Sequence, residues 1–466
     1  MTDLAEHWTT TVIRDVADVF LGKTPARNDY TSNSNSKYKV VKFRDLKDGS
    51  VDFENAKQGF VRADASLLRT LKELRCGDVL ITSAAHSGEN IGKKCAYVSE
   101  IPSKFERVYF TGELLNVRCK DQTIGKWVYF FFRSRDGFEE IQEAVTGVHL
   151  TGGRAQHMSL PIAPRAEQRR IVAKLEKLLR RVDACQQRLA KIPVALKRFR
   201  QSVLAAACSG RLTADWRNSD EGQDELPRSW SLIEFGRLIA DGPHNGLYKP
   251  QSCYGSGTLI VRIDAFYDGK ITDWGELKRL VISGKEREQF ALADGDILIN
   301  RVNSPKFLGK AALVQAMPEE SVYESNMMRL RLDRSRTRPD YAILYLRSAQ
   351  GLEELRKNAK HAVNQSSINQ EDVKGALFAL PPLPEQQEIV RRVEALFALA
   401  DQIEARYAKA AAYVEKLTQS ILAKAFRGEL VPQDPNDEPA SILLERIRSA
   451  VTTPKAHSAR PARYKL

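Results

Sequence analysis

Much of this sequence is written twice, and that restricts the fold more than any other feature. Residues Glu167–Leu212 (EQRRIVAKLEKLLRRVDACQQRLAK…QSVLAAACSGRL) reappear as Glu385–Leu430 (EQQEIVRRVEALFALADQIEARYAK…QSILAKAFRGEL). The offset is constant at 218, Glu385 answering Glu167 and Leu430 answering Leu212. Gln168/Gln386, Ile171/Ile389, Val172/Val390, Asp183/Asp401, Arg188/Arg406, Gln201/Gln419, Ser202/Ser420 and Gly210/Gly428 are also pairwise identical. Upstream, Gly77-Asp78-Val79-Leu80-Ile81-Thr82 is echoed by Gly295-Asp296-Ile297-Leu298-Ile299-Asn300, and Ile91-Gly92-Lys93 by Leu308-Gly309-Lys310. Lys39–Phe53 parallels Leu259–Asp273, and Trp8 answers Trp230 after the polar linker Asn218–Arg228. Self-similarity on this scale means a duplicated architecture. The order is a variable domain (1–160), a central helical arm (161–217), a second variable domain (226–378) and a C-terminal helical arm (379–431). A tail (432–466) follows, with a short amphipathic helix carrying Leu443, Leu444 and Ile447 and a basic end.

In the first arm the apolar residues Ile171, Leu175, Leu178, Val182, Cys185, Leu189 and Ile192 step by four and three, as in a coiled-coil seam. Ile389, Val393, Leu396, Ala400, Ile403, Tyr407 and Ala410 repeat them. One narrow stripe per arm cannot be buried alone, so the arms are expected to pack on each other as long antiparallel coiled-coil helices related by a pseudo-twofold. Pro164 and Pro384 precede the helix starts, and Glu167 and Glu385 in the first turns suit the helix dipole. Gly210 and Gly428 mark the stops. Pro193, whose counterpart is Ala411, interrupts the first arm. The stripe continues through Leu196, Phe199 and Val203, which predicts a kinked helix, roughly 70 Å long at 1.5 Å per residue.

The variable domains read as short strands between Gly, Asn, Asp and Ser turns, with helical candidates at Trp127–Ala144 and Tyr341–Ala359. That is mixed α/β content in an α+β chain. Three polar loops in each carry side chains suited to nucleic acid. In the first domain they are Gly22–Arg27 (Lys23, Arg27), Ser83–Lys94 (His86, Asn90, Lys93, Lys94) and Thr146–His157 (Arg154, Gln156). In the second they are Asp241–Lys249 (His244, Asn245, Lys249), Asn300–Lys310 (Arg301, Asn303, Lys306, Lys310) and Lys360–Gln370 (Asn364, Gln365). Arg, Lys, Asn and Gln bond base edges, while Gly and Ser let backbone amides approach phosphates. The formal charge of +13, from 72 Lys and Arg against 59 Asp and Glu, agrees with a polyanionic partner. Taken singly, each loop also reads as a solvated turn.

The sequence offers little for catalysis. Ala17–Thr24 ends in Gly-Lys-Thr but lacks the first glycine of a phosphate loop, and Val19, Phe20 and Leu21 fill its centre. No Asn/Asp-Pro-Pro-aromatic methyltransferase tetrapeptide occurs, since Pro381-Pro382 lacks both flanking residues. Glu276-Leu277-Lys278 after Asp264 mimics a nuclease carboxylate–lysine set only loosely. The six cysteines form no C-x-x-C pair, and the histidines no i, i+4 pair, so no metal is expected. The opening MTDLAEHWTT lacks an apolar signal core, and the longest apolar stretch, Trp127–Phe132, is too short to span a bilayer. A cytoplasmic protein without membrane contact is expected.

Ile162–Gln168 (IAPRAEQ) with Lys197–Leu204 (KRFRQSVL), and Leu380–Gln387 (LPPLPEQQ) with Leu417–Leu430 (LTQSILAKAFRGEL), closely resemble the specificity subunits of type I restriction–modification systems. The resemblance implies two target-recognition domains, each binding one half of a split, asymmetric site in double-stranded DNA. Long helices would fix the unread spacer and dock two modification subunits, which bind S-adenosylmethionine and methylate adenine at N6. Restriction subunits would add translocation and cleavage driven by ATP with magnesium, leaving this chain without a cofactor. Two rivals are a fused DNA-modifying enzyme and a stand-alone DNA-binding regulator. S-adenosylmethionine or ATP binding by the chain alone marks the first, and tight specific binding without other subunits marks the second.

Overall fold

The computed structural model describes residues 5–33, 36–47, 49–54, 59–217, 226–362 and 365–452. The chain divides into two compact units, Met1–Arg188 with Ala410–Leu466, and Leu189–Lys409. No helix among the described residues is long and apolar enough to cross a membrane.

The first unit holds a four-stranded antiparallel sheet in the order Ala17–Leu21, Leu114–Cys119, Asp78–Thr82, Cys95–Tyr97. Asp78–Thr82 is buried along its whole length, and only its centre, Val79-Leu80-Ile81, reads in sequence as an apolar run. A parallel pair (Tyr38–Val41 with Arg107–Phe110) and an antiparallel pair (Thr9–Val12 with Ser159–Ile162) complete its main strands. The second unit holds a six-stranded sheet whose first four strands, Ile239–Asn245, Met327–Leu332, Ile297–Asn300 and Ala311–Leu313, keep the same order. Lys270–Ile271 and Phe266–Tyr267 extend it. Mixed α/β content beside long helices is thus the architecture.

Each helical candidate of the variable regions is two helices rather than one. Gln122–Arg133 and Arg135–Ala144 meet at Ser134; Pro339–Arg347 and Ala349–Arg356 meet at Ser348. Both serines adopt extended dihedrals, and their hydroxyls accept the N–H of Gly137 (3.1 Å) and Gly351 (3.0 Å). A Cβ at Gly137 would lie 2.0 Å from the Phe131 carbonyl oxygen, and one at Gly351 2.1 Å from that of Tyr345, so only glycine lets the paired helices close.

The first arm comprises Arg165–Leu189 and Ile192–Cys208, interrupted at Ala190–Lys191. Pro193 stands in the first turn of the second helix, where no N–H is required, and Lys191 keeps right-handed helical dihedrals. The second arm, with Ala411 at that place, is one helix of 44 residues, Leu383–Phe426.

Ile171, Leu175 and Val182 are buried and Leu178 is half-buried. They share the first unit's core with Ile421, Leu422, Ala425 and Phe426 from the end of the second arm. Phe426 meets Trp127 and Phe131 edge-on, at 4.8 and 5.3 Å between centroids. Leu443, Leu444 and Ile447 of the helix Ala440–Thr452 join this core. Buried Ile389 and Val393 and half-buried Leu396 share the second unit's core with Val203, Leu204, Ala207 and Cys208 from the end of the first arm. Val172, Leu179 and Val390 are buried too, so the apolar face at these ends is wider than a single stripe. Towards the arm centres burial fades. Leu189 and Tyr407 are half-buried, and Ile403 is 40% exposed. The basic end of the tail (453–466) and most of the linker (218–225) lie outside the described residues.

The repeated Glu-Gln dipeptides are buried staples as well as first-turn residues. Trp8 donates its indole N–H to Glu167 (3.0 Å) and Trp230 to Glu385 (2.9 Å). Gln168 donates to the Ala163 carbonyl (2.8 Å) and Gln386 to that of Pro381 (2.9 Å). Burial raises the Glu167 carboxyl above its usual range against the pull of the indole donor.

Candidate nucleic-acid interface

In each unit the loops named above gather around one tight turn. In the first unit the turn is Thr111–Leu114, closed by the Leu114 N–H donating to the Thr111 carbonyl (3.1 Å). Gly22 donates to the Leu114 carbonyl (3.1 Å) and Lys23 to that of Phe110 (3.1 Å). From the second loop, Ser83 donates to the Glu113 carbonyl (2.9 Å); from the third, Leu150 donates to Ser83 (2.8 Å). The second unit repeats the plan around Glu324–Met327, closed by Met327 to Glu324 (3.1 Å). There Gly246 donates to Met327 (3.1 Å), Leu247 to Tyr323 (2.9 Å), Arg301 to Asn326 (2.9 Å) and Ile368 to Arg301 (2.9 Å). The close approach demands glycine. A Cβ on Gly22 would lie 2.3 Å from the Thr111 oxygen, and one on Gly246 2.2 Å from that of Glu324.

The frame is fixed beneath by buried aspartates that follow left-handed glycines, Gly77 (φ 91°) and Gly295 (φ 97°). Asp78 accepts the Arg75 N–H (2.8 Å) and Asp296 that of Ala293 (2.9 Å), which caps the turn. Each then binds an arginine on the neighbouring strand, Arg118 at 2.7 Å and Arg331 at 2.7 Å.

Two of the nominated lysines are engaged internally. The strand registers pair Ile81 with Cys95 and Ile299 with Ala311, so Lys310 matches Lys94 rather than Lys93. Lys94 reaches the Phe43 carbonyl (3.5 Å) and lies over the Phe43 ring; Lys310 reaches the Ile263 carbonyl (3.4 Å) and lies 3.9 Å from the Tyr267 ring centroid. Burial pulls the Lys310 ammonium below its usual range.

His86, Asn90, Lys93 and Lys94 line one cavity of about 510 Å³ with Phe43 and Glu113. Lys93 there donates to Asn90 (2.8 Å). Lys23 and Arg27 are exposed. Arg154 bonds the Thr146 hydroxyl and donates to the Glu143 carbonyl (3.3 Å), holding its own loop, and Gln156 is half-buried beside it.

In the second unit Asn245 and Arg301 line a cavity of about 340 Å³ with Asn369, Gln370 and Glu371. Arg301 donates to the Ser325 carbonyl (3.2 Å), pinning the turn. His244 is tied to Asp241 (2.8 Å), and Lys249 to Glu286 (2.7 Å), whose carboxyl this ammonium lowers to about 2. Asn303 accepts the Ser304 N–H (2.8 Å), and Lys306 and Gln365 are exposed. Asn364 lies outside the described residues.

Glu113 and Asn326 are the turn residues that sequence reasoning missed. The first is exposed and the second half-exposed, each at the third position of its turn. The signal lay in the strand after the turn, where Leu114–Arg118 parallels Met327–Arg331 at an offset of 213 rather than 218.

Each unit thus presents a rim of polar loops on a rigid sheet. Among the described residues no group of three or more His, Cys, Asp or Glu could hold a metal ion. The model of the type I restriction modification DNA specificity domain matches residues 267–410. The chain is 32% identical over 459 residues to the StySPI specificity subunit of Salmonella potsdam and 30% identical over 460 residues to the EcoKI specificity subunit of Escherichia coli K12. In both comparisons 96% of each chain is covered. Two solved structures share the fold. One, from a study of complex assembly and conformational transition of the type I R-M system, has a TM-score of 0.67 at 20% identity, covering 92% of this chain and 100% of that one. The other, the HsdS subunit from Thermoanaerobacter tengcongensis, has a TM-score of 0.53 at 21% identity, covering 92% and 98%. The chain belongs to the type I restriction enzyme specificity subunits.

Proposed function

We propose that this chain is the non-catalytic DNA-specificity subunit of a type I restriction–modification complex, reading a split, asymmetric site with one half-site per variable domain (1–160 and 226–378). The observation that carries this reading is the doubled frame: the same turn, the same glycine and the same loop contacts, furnished with different side chains in each unit. One frame with two sets of base-edge chemistry suits two unlike half-sites.

The arms (161–217 and 379–431) act as an antiparallel coiled coil with a pseudo-twofold and set the unread spacer. This is supported by each unit's core combining the start of one arm with the end of the other. Val194 (53% exposed), Leu399 (50%) and Tyr413 (67%) are large apolar residues left open on the arms, as docking of two modification subunits requires. Those subunits supply S-adenosylmethionine chemistry on adenine, and restriction subunits supply ATP- and magnesium-dependent cleavage, all in the cytoplasm.

Sequencing DNA methylated by this chain with its modification subunit tests the reading. Deleting one heptad from each arm removes about 10 Å of helix, the rise of about three base pairs, and should shorten the spacer by that amount with both half-sites kept. An unchanged spacer refutes the ruler. Tight, specific DNA binding by the chain alone, with no gain from modification subunits, favours a stand-alone regulator instead.

A further inference from the structure

The two turns occupy the same place in the two units by three separate measures. Thr111 N–H donates to Val41 and Glu324 N–H to Val261, both at 3.0 Å. Leu114 pairs with Thr82 in the sheet as Met327 pairs with Asn300. The carbonyls of Glu113 and Asn326 accept the amides of Ser83 and Arg301, both at 2.9 Å. At the third position of the matched turns the side chains are a carboxylate, Glu113, and a carboxamide, Asn326.

Neither side chain holds its turn through a hydrogen bond, and the Glu113 carboxylate lies within electrostatic reach of Lys42. Among the described residues Glu113 makes no side-chain hydrogen bond or ion pair, although it lines the same cavity as Lys93 and Lys94, and Asn326 makes no side-chain hydrogen bond. The backbone around them is held from both sides: Gly112 donates to the Thr24 hydroxyl (3.1 Å) and Ser83 donates its hydroxyl to the Gly112 carbonyl (3.3 Å), while Arg301 holds the Ser325 carbonyl (3.2 Å). Such support presents a side chain to something outside the molecule. A carboxylate without a hydrogen-bond partner on such a rim is repelled by phosphate, so its favourable use on DNA is to accept from an exocyclic amino group on a base edge. Among base pairs in the major groove, cytosine N4 presents a donor that a carboxylate accepts, whereas adenine N6 and N7 present a donor–acceptor pair that a carboxamide matches at both atoms.

We propose that Glu113 and Asn326 are matched specificity-determining residues, Glu113 reading a cytosine in one half-site and Asn326 reading an adenine in the other. This rests on the DNA-reading function above. The test uses the whole chain assembled with its modification subunit, with sequencing of methylated DNA as readout. Glu113→Gln should relax or change one base of one half-site, with about ten- to hundredfold lower discrimination for cytosine there. Asn326→Asp should do the same at one adenine of the other half-site, each variant leaving the opposite half-site unchanged. Both positions are solvent-accessible, and a melting temperature equal to that of the parent confirms that each variant is folded. Both variants methylating the parental motif at parental rates overturns the proposal. So does a folded variant that loses methylation of all sequences alike, because the turn then contributes affinity without choice. If the parent complex itself methylates no bipartite site, it is the broader DNA-specificity reading that fails.

Discussion

Asp78 and Asp296 stand at the same place in two sheets of the same strand order, yet they keep different company. In the first unit Asp78 binds one arginine, Arg118, and accepts from the neutral amide of Asn116 (2.7 Å). In the second, Arg329 replaces that asparagine, buried at 5% exposure and 3.8 Å from Asp296, and a further acid, Asp241, answers it at 2.8 Å. Asp241 comes from the edge strand, where the register with Met327–Leu332 slips twice. The lesson is that the units share a skeleton with different polar fillings: where a buried cation, Arg329, stands in place of a neutral amide, a second anion stands beside it.

That difference can be broken most forcefully at the aspartates. Asp296→Ala leaves a buried guanidinium short of charge and should cost about 3–5 kcal/mol in urea unfolding, whereas Asp78→Ala, facing an amide and a partly exposed arginine, should cost about 1–3 kcal/mol. Equal losses would show that Arg329 adds nothing to the load on Asp296. The glycines test the opposite expectation, sameness. Gly22→Ala and Gly246→Ala meet a carbonyl oxygen at nearly the same distance, and each should destabilise its unit by about 1–3 kcal/mol. A large gap between them would break the equivalence of the two turns.

Smaller effects are expected where an arginine holds a loop. Arg301→Ala frees the turn beside Asn326 and Arg154→Ala frees only its own loop, so gel shifts with modification subunits present should weaken roughly tenfold and a few-fold respectively. The smallest effect concerns acid. Because the folded-state pKa of Glu167 is raised, its carboxyl favours the native state at low pH, and that benefit is lost as pH rises through the folded value. Glu167→Gln should therefore fall furthest behind the parent near pH 4 and close the gap by pH 7, as measured by thermal unfolding. A gap that widens with pH would reverse the sign of this burial effect.

The mixed α/β content and the long helices were legible because they depend on periodicity, which survives in a bare sequence. The turns at Glu113 and Asn326 were not, since insertions in the preceding loops change the offset from 218 to 213 and hide the match. The pairing of Lys310 with Lys93 went astray for a related reason. One extra residue separates Gly92 from its strand, and only the sheet register shows that Lys94 makes the matching reach. Glu167 and Glu385 were readable as first-turn acids, but their indole partners lie 159 and 155 residues away, a pairing that no local pattern discloses.

The first unit is assembled from the two ends of the chain, whereas the second is one continuous stretch. On the ribosome the order of completion is therefore inverted. Leu189–Lys409 has all its core residues once the exit tunnel has released them, while the earlier-made Trp127 and Phe131 still wait for Phe426, Leu443 and Ile447. The half of the protein that is born first is finished last.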